Sequence, residues 1–187
     1  MKKLRGVNLG GWLVLEKWIT PTLFDGFAAE DEYDFVQQKE AKKRLERHWK
    51  TFITEADLAW LADHGVNALR IPVGYWIFGD EPPFFGAIHH LDRIMNLAAA
   101  HHLNVLLCLH AAPGSQNGFQ HSGDKGRARW HTNRRYQQKT LRVLERLVER
   151  YRSHPALWGI ELLNEPRLGL FQKTLRLCPI HNVLKHY

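Results

Sequence analysis

Residues Leu157-Trp-Gly-Ile-Glu-Leu-Leu-Asn-Glu-Pro166 decide the fold. Pro155 precedes an apolar run of strand length, Leu157 to Leu163, which gives way to Asn164-Glu165, an amide beside a carboxylate. A short apolar run bounded by turn signals reads as a buried strand. Here its C-terminal end carries hydrogen-bonding and ionisable chemistry that packing does not require.

The same scheme repeats upstream. Val7-Asn8-Leu9 reads as a first strand, followed by a Gly-rich loop through Trp12, Trp18 and Phe24. Asp31 to Trp49 has a helical pattern, and Thr54 caps a second helix with Asp57 three residues on. Leu58 and Leu61 recur at helical spacing, Gly65 stops that helix, and Val66 to Ile71 is a strand ending at Pro72. Leu91 to Ala100 is helical, Asn104 to Leu109 a strand, and His110 to Thr132 a polar loop. Leu141, Leu144, Val148 and Tyr151 then mark an amphipathic helix. Strands separated by helix-length segments argue for βαβ units and a parallel α/β sheet.

A doubly wound sheet and a barrel both fit this alternation, and the position of the chemistry decides between them. Asn8, Arg70, His110 and Asn164-Glu165 each end one of the four strands. In a TIM (β/α)8 barrel the working residues sit at that end of the strands. No Gly-rich phosphate turn joins the first strand to a helix, which counts against a dinucleotide fold. The expectation is the N-terminal half of a (β/α)8 barrel, strands 1–4, over residues 1–166, with a divergent tail over 167–187.

Composition sets bounds on partners. The 187 residues are 44% hydrophobic and 24% charged, and no stretch approaches a membrane span. The net charge of +7 is spread over helical segments such as Lys39–Arg47 and Arg142–Arg152, where bases alternate with Glu. That is a solvated helix face, so neither nucleic acid nor a membrane surface is an expected partner. The pairs His89-His90 and His101-His102 flank a helix, and adjacent helical residues do not share a face, so no metal is expected. Cys108 lies in an apolar run as a small core residue, and Cys108 and Cys178 form no disulfide framework. Met1-Lys2-Lys3 has a basic start without an apolar continuation. As written the chain reads as cytoplasmic, or as extracellular if an upstream leader is missing.

Four segments carry a family resemblance: Gly6–Glu16, Leu69–Trp76, Leu109–Phe119 and Gly159–Pro166. In order and spacing they resemble glycoside hydrolase family 5, and within it the exo-β-1,3-glucanases. The resemblance implies retaining hydrolysis of β-glucosidic bonds in β-1,3-glucans by two glutamates, with no cofactor. Glu165, the glutamate of Asn-Glu-Pro, would be the acid/base, protonating the leaving oxygen and later deprotonating water. Asn164 would bond the sugar 2-hydroxyl, His110 and Glu16 other hydroxyls, and Arg70 would steady the catalytic carboxylates. Phe119 would stack on sugar at the entrance. The family's yeast-type members have Asp-Asn after this phenylalanine, where this chain has Gln120-His121. The acidic group is gone, which loosens the expected preference for β-1,3 linkages.

The retaining mechanism needs a second carboxylate roughly 5 Å from the first. The family supplies it from strand seven, and Pro166 to Tyr187 contains no Asp or Glu. Glu161 is four residues from Glu165, about 13 Å along an extended strand, too far to serve. The nucleophile is therefore expected to be absent from the chain, and the fragment alone inactive. A complete barrel takes about 250 residues, so two such halves forming a homo-oligomer is one way to cover the open edges. The alternatives are a non-catalytic glucan-binding remnant and a β-1,4-glucanase or mannanase of the same family.

Overall fold

The structure, a computed structural model, describes residues 3–126 and 128–167. The tail beyond Arg167, with Cys178, lies outside the described residues. Four parallel strands form one sheet: β1 (Gly6–Asn8), β2 (Ala68–Gly74), β3 (Asn104–Ala111) and β4 (Leu157–Glu161). Their spatial order is β1-β2-β3-β4, the order of the chain. A doubly wound sheet reverses direction at a switch point, whereas strands laid down in sequence are the pattern of a barrel. The topology therefore resolves what alternation alone left open.

Five helices lie between the strands: α1 (Glu32–Val36), α2 (Ala41–Thr51), α3 (Glu55–Asp63), α4 (Ile88–Ala100) and α5 (Arg134–Tyr151). The helix expected over residues 31–49 is in fact two. Glu40 has φ of 68°, a left-handed turn that breaks the run before Ala41. The turn lets Phe35 and Leu45 both reach full burial, which outweighs helical continuity. α3 starts on the expected capping box: Asp57 accepts the Thr54 N–H at 2.8 Å, and Thr54 Oγ1 accepts the Asp57 N–H at 3.4 Å.

The buried stripe of α5 is Thr140, Val143, Leu144, Leu147 and Tyr151, a rotation from the expected one that leaves Val148 exposed. Three of its bases bind acids on other elements. Arg150 forms a fork on Asp92 of α4 at 2.8 and 2.6 Å, while Lys139 and Arg146 meet Glu81 and Asp80.

Strand β2 runs on past its expected end, with Pro72 inside it. Arg70 C=O accepts the Leu9 N–H, so Arg70 and Pro72, two residues apart, both turn their backbone polar groups toward the β1 edge. β1 ends at Asn8, so the missing proline N–H leaves no ladder partner unsatisfied.

Leu69, Ile71, Val73, Val105, Leu107 and Leu109 are fully buried and join the core with helical residues such as Leu91, Ile94 and Leu147. The opposite, concave face is open. A hollow of about 310 Å³ is lined by Leu4, Val7, Ala68, Leu106 and Trp158 among others. Pairing jumps from Val105–Leu157 to Leu106–Gly159, making Trp158 the extra residue of a bulge, 57% exposed at this hollow. Among the described residues no helix is long and apolar enough to cross a membrane.

Candidate active site

Register brings the polar residues of the concave face into line. Asn8 pairs with Arg70, Arg70 with Leu106, and Cys108, two residues beyond Leu106 on the same face, with Glu161, so Asn8, Arg70, Cys108 and Glu161 form a stepped row across all four strands. Arg70 is the hub. Its Nε donates to Glu161 Oε2 at 2.7 Å and its Nη1 to Asn8 Oδ1 at 2.9 Å. Its Nη2 lies 2.9 Å from Glu161 Oε1, Asn164 Oδ1 and Cys108 Sγ. The guanidinium holds the Glu161 carboxyl below the usual carboxylate range. Arg70 thus steadies Glu161 and Asn164, and the carboxylate it grips is not Glu165. Cys108 is a fully buried core residue as expected, its Sγ also meets Arg70 in this polar row, and burial pushes its thiol up.

Asn164 follows β4 and is 5% exposed. Its N–H reaches Leu109 C=O at 2.9 Å, its own C=O accepts from Gln116 Nε2 at 3.1 Å, and Arg70 occupies Oδ1. Its Nδ2 is buried and has no partner among the described residues. A buried donor without an acceptor costs about 1–3 kcal/mol, so a fixed amide presenting one calls for a ligand oxygen.

Glu165 has φ of 43°, a left-handed conformation that turns the chain sharply at the rim. Its side chain is 65% exposed, with Oε2 3.5 Å from His121 Nε2, and its C=O accepts from Asn117 Nδ2 at 3.2 Å. His110, near the end of β3, is buried; burial first, then His121 and Arg70, push its pKa down to about 3, leaving a neutral ring. Glu16 is buried in the loop after β1, where it accepts from Gly11 N–H at 3.1 Å and from Trp18 Nε1 at 3.2 Å. A Cβ at Gly10 would lie 3.0 Å from Glu16 Oε1 and 3.1 Å from Asn8 Nδ2, which places Glu16 beside the polar row. Phe119 is 55% exposed, its ring 5.6 Å from that of His121.

The structure adds residues that sequence reasoning did not single out. Gln116 is fully buried and staples the β3 loop: Nε2 donates to His110 C=O at 2.7 Å and to Asn164 C=O, and Oε1 accepts from Ala112 N–H. Asn117 bonds Glu165, Phe119 and His121. Both lie in the Pro-Gly-Ser-Gln-Asn-Gly-Phe stretch that carried the resemblance, so the signal was present while the roles were not. Glu161, set aside as a nucleophile, is the carboxylate that Arg70 holds.

This sheet is the N-terminal half of a (β/α)8 barrel with its polar residues at the C-terminal rim. The chain belongs to the Cellulase family, glycosyl hydrolase family 5, whose family model matches residues 30–186. Among curated relatives, a probable glucan 1,3-beta-glucosidase A of Emericella nidulans is 47% identical over 94% of this chain and 46% of the relative. A glucan 1,3-beta-glucosidase of Pichia angusta is 42% identical over 96% of this chain and 44% of the relative. The chain therefore spans less than half the length of these relatives. Among solved structures, a rutinosidase from Aspergillus niger superposes with a TM-score of 0.87 at 25% identity, over 98% of this chain and 58% of the rutinosidase. An endoglucanase of Pseudomonas stutzeri shares the fold, with a TM-score of 0.54 at 19% identity over 98% of this chain and 48% of the endoglucanase.

Proposed function

We propose that this chain supplies the acid/base half of a retaining β-glucosidase site for β-1,3-glucans. The observation that carries the reading is the Asn164-Glu165 pair, a fixed amide with an unused buried donor next to an accessible carboxyl. The Nδ2 group suits a sugar 2-hydroxyl, whose hydrogen bond strengthens as the ring gains oxocarbenium character. Glu165 then protonates the leaving glycosidic oxygen and, after the glycosyl-enzyme forms, takes a proton from water. Neutral His110 and the Glu16 carboxyl add hydroxyl partners, and Phe119 offers a ring face to sugar. Glu161 is neutralised by Arg70, which supports a nucleophile contributed by strands outside this chain. The relatives named as glucan 1,3-beta-glucosidases favour glucan as substrate. The close superposition on a rutinosidase favours a second reading, a rutinosidase-like specificity at the same site.

The test is a chimaera in which this chain replaces the matching part of the Emericella nidulans relative. Laminarin, rutin and an aryl β-glucoside are the substrates. The expected result is laminarin turnover that Glu165→Ala abolishes, with activity on the activated aryl glucoside partly restored by azide, a nucleophile that needs no base. Undiminished laminarin turnover in Glu165→Ala would overturn the acid/base role. Turnover of rutin alone would favour the second reading.

A further inference from the structure

Arg44, Arg47, His48 and Thr51 recur at helical spacing, so α2 carries them on one face. Across from that face runs the segment from Ile19 to Asp25, which includes the single helical turn Pro21–Phe24. Between the two lies an open groove of about 480 Å³, within the size range of small-molecule sites. It is separate from the polar row: none of Asn8, Arg70, Cys108 and Glu161 lines it.

The walls of the groove are fixed at two points. Arg44 Nη1 donates to Leu23 C=O at 3.1 Å and to Asp25 C=O at 2.7 Å, and its guanidinium lies 3.9 Å from the Phe27 ring centre. His48 meets Gly11 C=O at 2.8 Å through Nε2, which donates because a carbonyl only accepts. Gly11 N–H donates in turn to Glu16 Oε1, so the groove adjoins the loop that carries Glu16. Phe52, just past α2, sets its ring 4.7 Å from that of His48 and is 36% exposed at the groove.

The polar groups on these walls are unspent. Asp25 and Arg47 are exposed, and their side chains have no hydrogen bond or ion pair among the described residues. Thr22 adds an exposed hydroxyl, and Thr51, whose Oγ1 donates to Arg47 C=O at 2.9 Å, adds an accepting oxygen. Carboxyl oxygens accept and guanidinium N–H groups donate, and both are planar groups that engage neighbouring hydroxyls in pairs. An aromatic ring with donors and acceptors beside it matches a pyranose, which offers a C–H face and a rim of hydroxyls. An anion fits less well, because it would meet the Asp25 oxygens as well as Arg47.

We propose that this groove is a second, non-catalytic saccharide site that holds a β-glucan chain beside the active site. The choice of β-glucan rests on the proposed function of Glu165, whereas the saccharide chemistry rests on the groove's own residues. A polymer held there has a raised effective concentration at the cleft, a gain that an aryl glucoside does not share.

The test titrates the full chain with laminaritetraose and, separately, with inorganic phosphate, following amide proton–nitrogen peaks. The expected result is movement of the Thr22, Arg47, Thr51 and Phe52 peaks with laminaritetraose and none with phosphate. That movement should persist in Asn164→Ala, which removes the amide donor of the cleft. Phe52→Ala should weaken binding at the groove roughly tenfold, the loss expected for one partly buried ring. Phe52 also packs on His48, so Arg47→Ala and Asp25→Ala supply a check at exposed side chains without partners. Each should weaken binding severalfold at an unchanged melting temperature. Groove peaks that stay in place, movement lost in Asn164→Ala, binding unweakened in all three groove variants, or a response to phosphate instead would each overturn the proposal. A groove that responds while the chimaera leaves laminarin intact would end the catalytic reading alone. Laminarin turnover with unmoved groove peaks would end the groove alone.

Discussion

The Arg70 guanidinium and the Glu161 carboxylate meet as a fork across β3, with Nε–Oε2 at 2.7 Å and Nη2–Oε1 at 2.9 Å. Arg70 belongs to β2 and Glu161 to β4, so one side chain spans three strands and orients Asn8 and Asn164 as well. A lysine carries the charge but not the fork. Arg70→Lys should therefore cost about 1–2 kcal/mol in urea unfolding, because the lost bonds are partly buried. In a double-mutant cycle most of that loss should disappear when Glu161 is already Gln. Equal losses in both backgrounds would mean that the pair is not coupled.

Glu32 should make stability depend on pH. It is fully buried, and burial pushes its carboxyl up to about 8, opposed by the Leu15 N–H that donates to it at 2.7 Å. Below the ordinary value of 4.5 both states are protonated and the group adds no pH dependence. From there to about 8 the unfolded chain releases the proton and the folded chain keeps it, so stability falls as pH rises, by about 1.4 kcal/mol per unit. Glu32→Gln should flatten that slope in urea melts, and a slope unchanged in the variant would place the titration elsewhere.

Gly114 lies in the loop after β3 with φ of 71°, and a Cβ there would overlap the Tyr136 ring. Gly114→Ala combines left-handed backbone strain with that clash and should cost upward of about 2 kcal/mol. Circular-dichroism melting checks it. A melting temperature within a degree or so of the parent would show that Tyr136 moves aside freely.

Glu165→Gln should leave stability within about 0.5 kcal/mol of the parent, since the side chain is 65% exposed. In the chimaera its turnover on laminarin should fall by about 10²–10⁴, the usual worth of general acid–base catalysis. Loss of both stability and turnover would make the residue structural.

How much of this was legible follows from what each signal measures. The capping box at Thr54 and the stop at Gly65 are local, and the structure has both. The break at Glu40 was hidden because a left-handed glutamate has no composition cue and is imposed by burying Phe35 and Leu45 together. Pro72 was read as a strand end, and only the early finish of β1 explains why it is tolerated inside β2. At the site, the strand-end residues were visible as types. The partners were not: that Arg70 grips Glu161, and that Asn117 bonds the Glu165 carbonyl, depends on register and loop closure between residues up to 91 apart.

Gln116 and Asn117 bond the backbone of Asn164 and Glu165, and Arg167 N–H returns a bond to Gln116 C=O at 2.9 Å. The β3 loop and the segment carrying the carboxyl are thus one mechanical piece. Evolution cannot retune one without disturbing the other: a mutation that reshapes the loop also moves the Glu165 carboxyl. Shifts of specificity here should arrive as linked sets of substitutions across the two segments, with most single changes lost on the way.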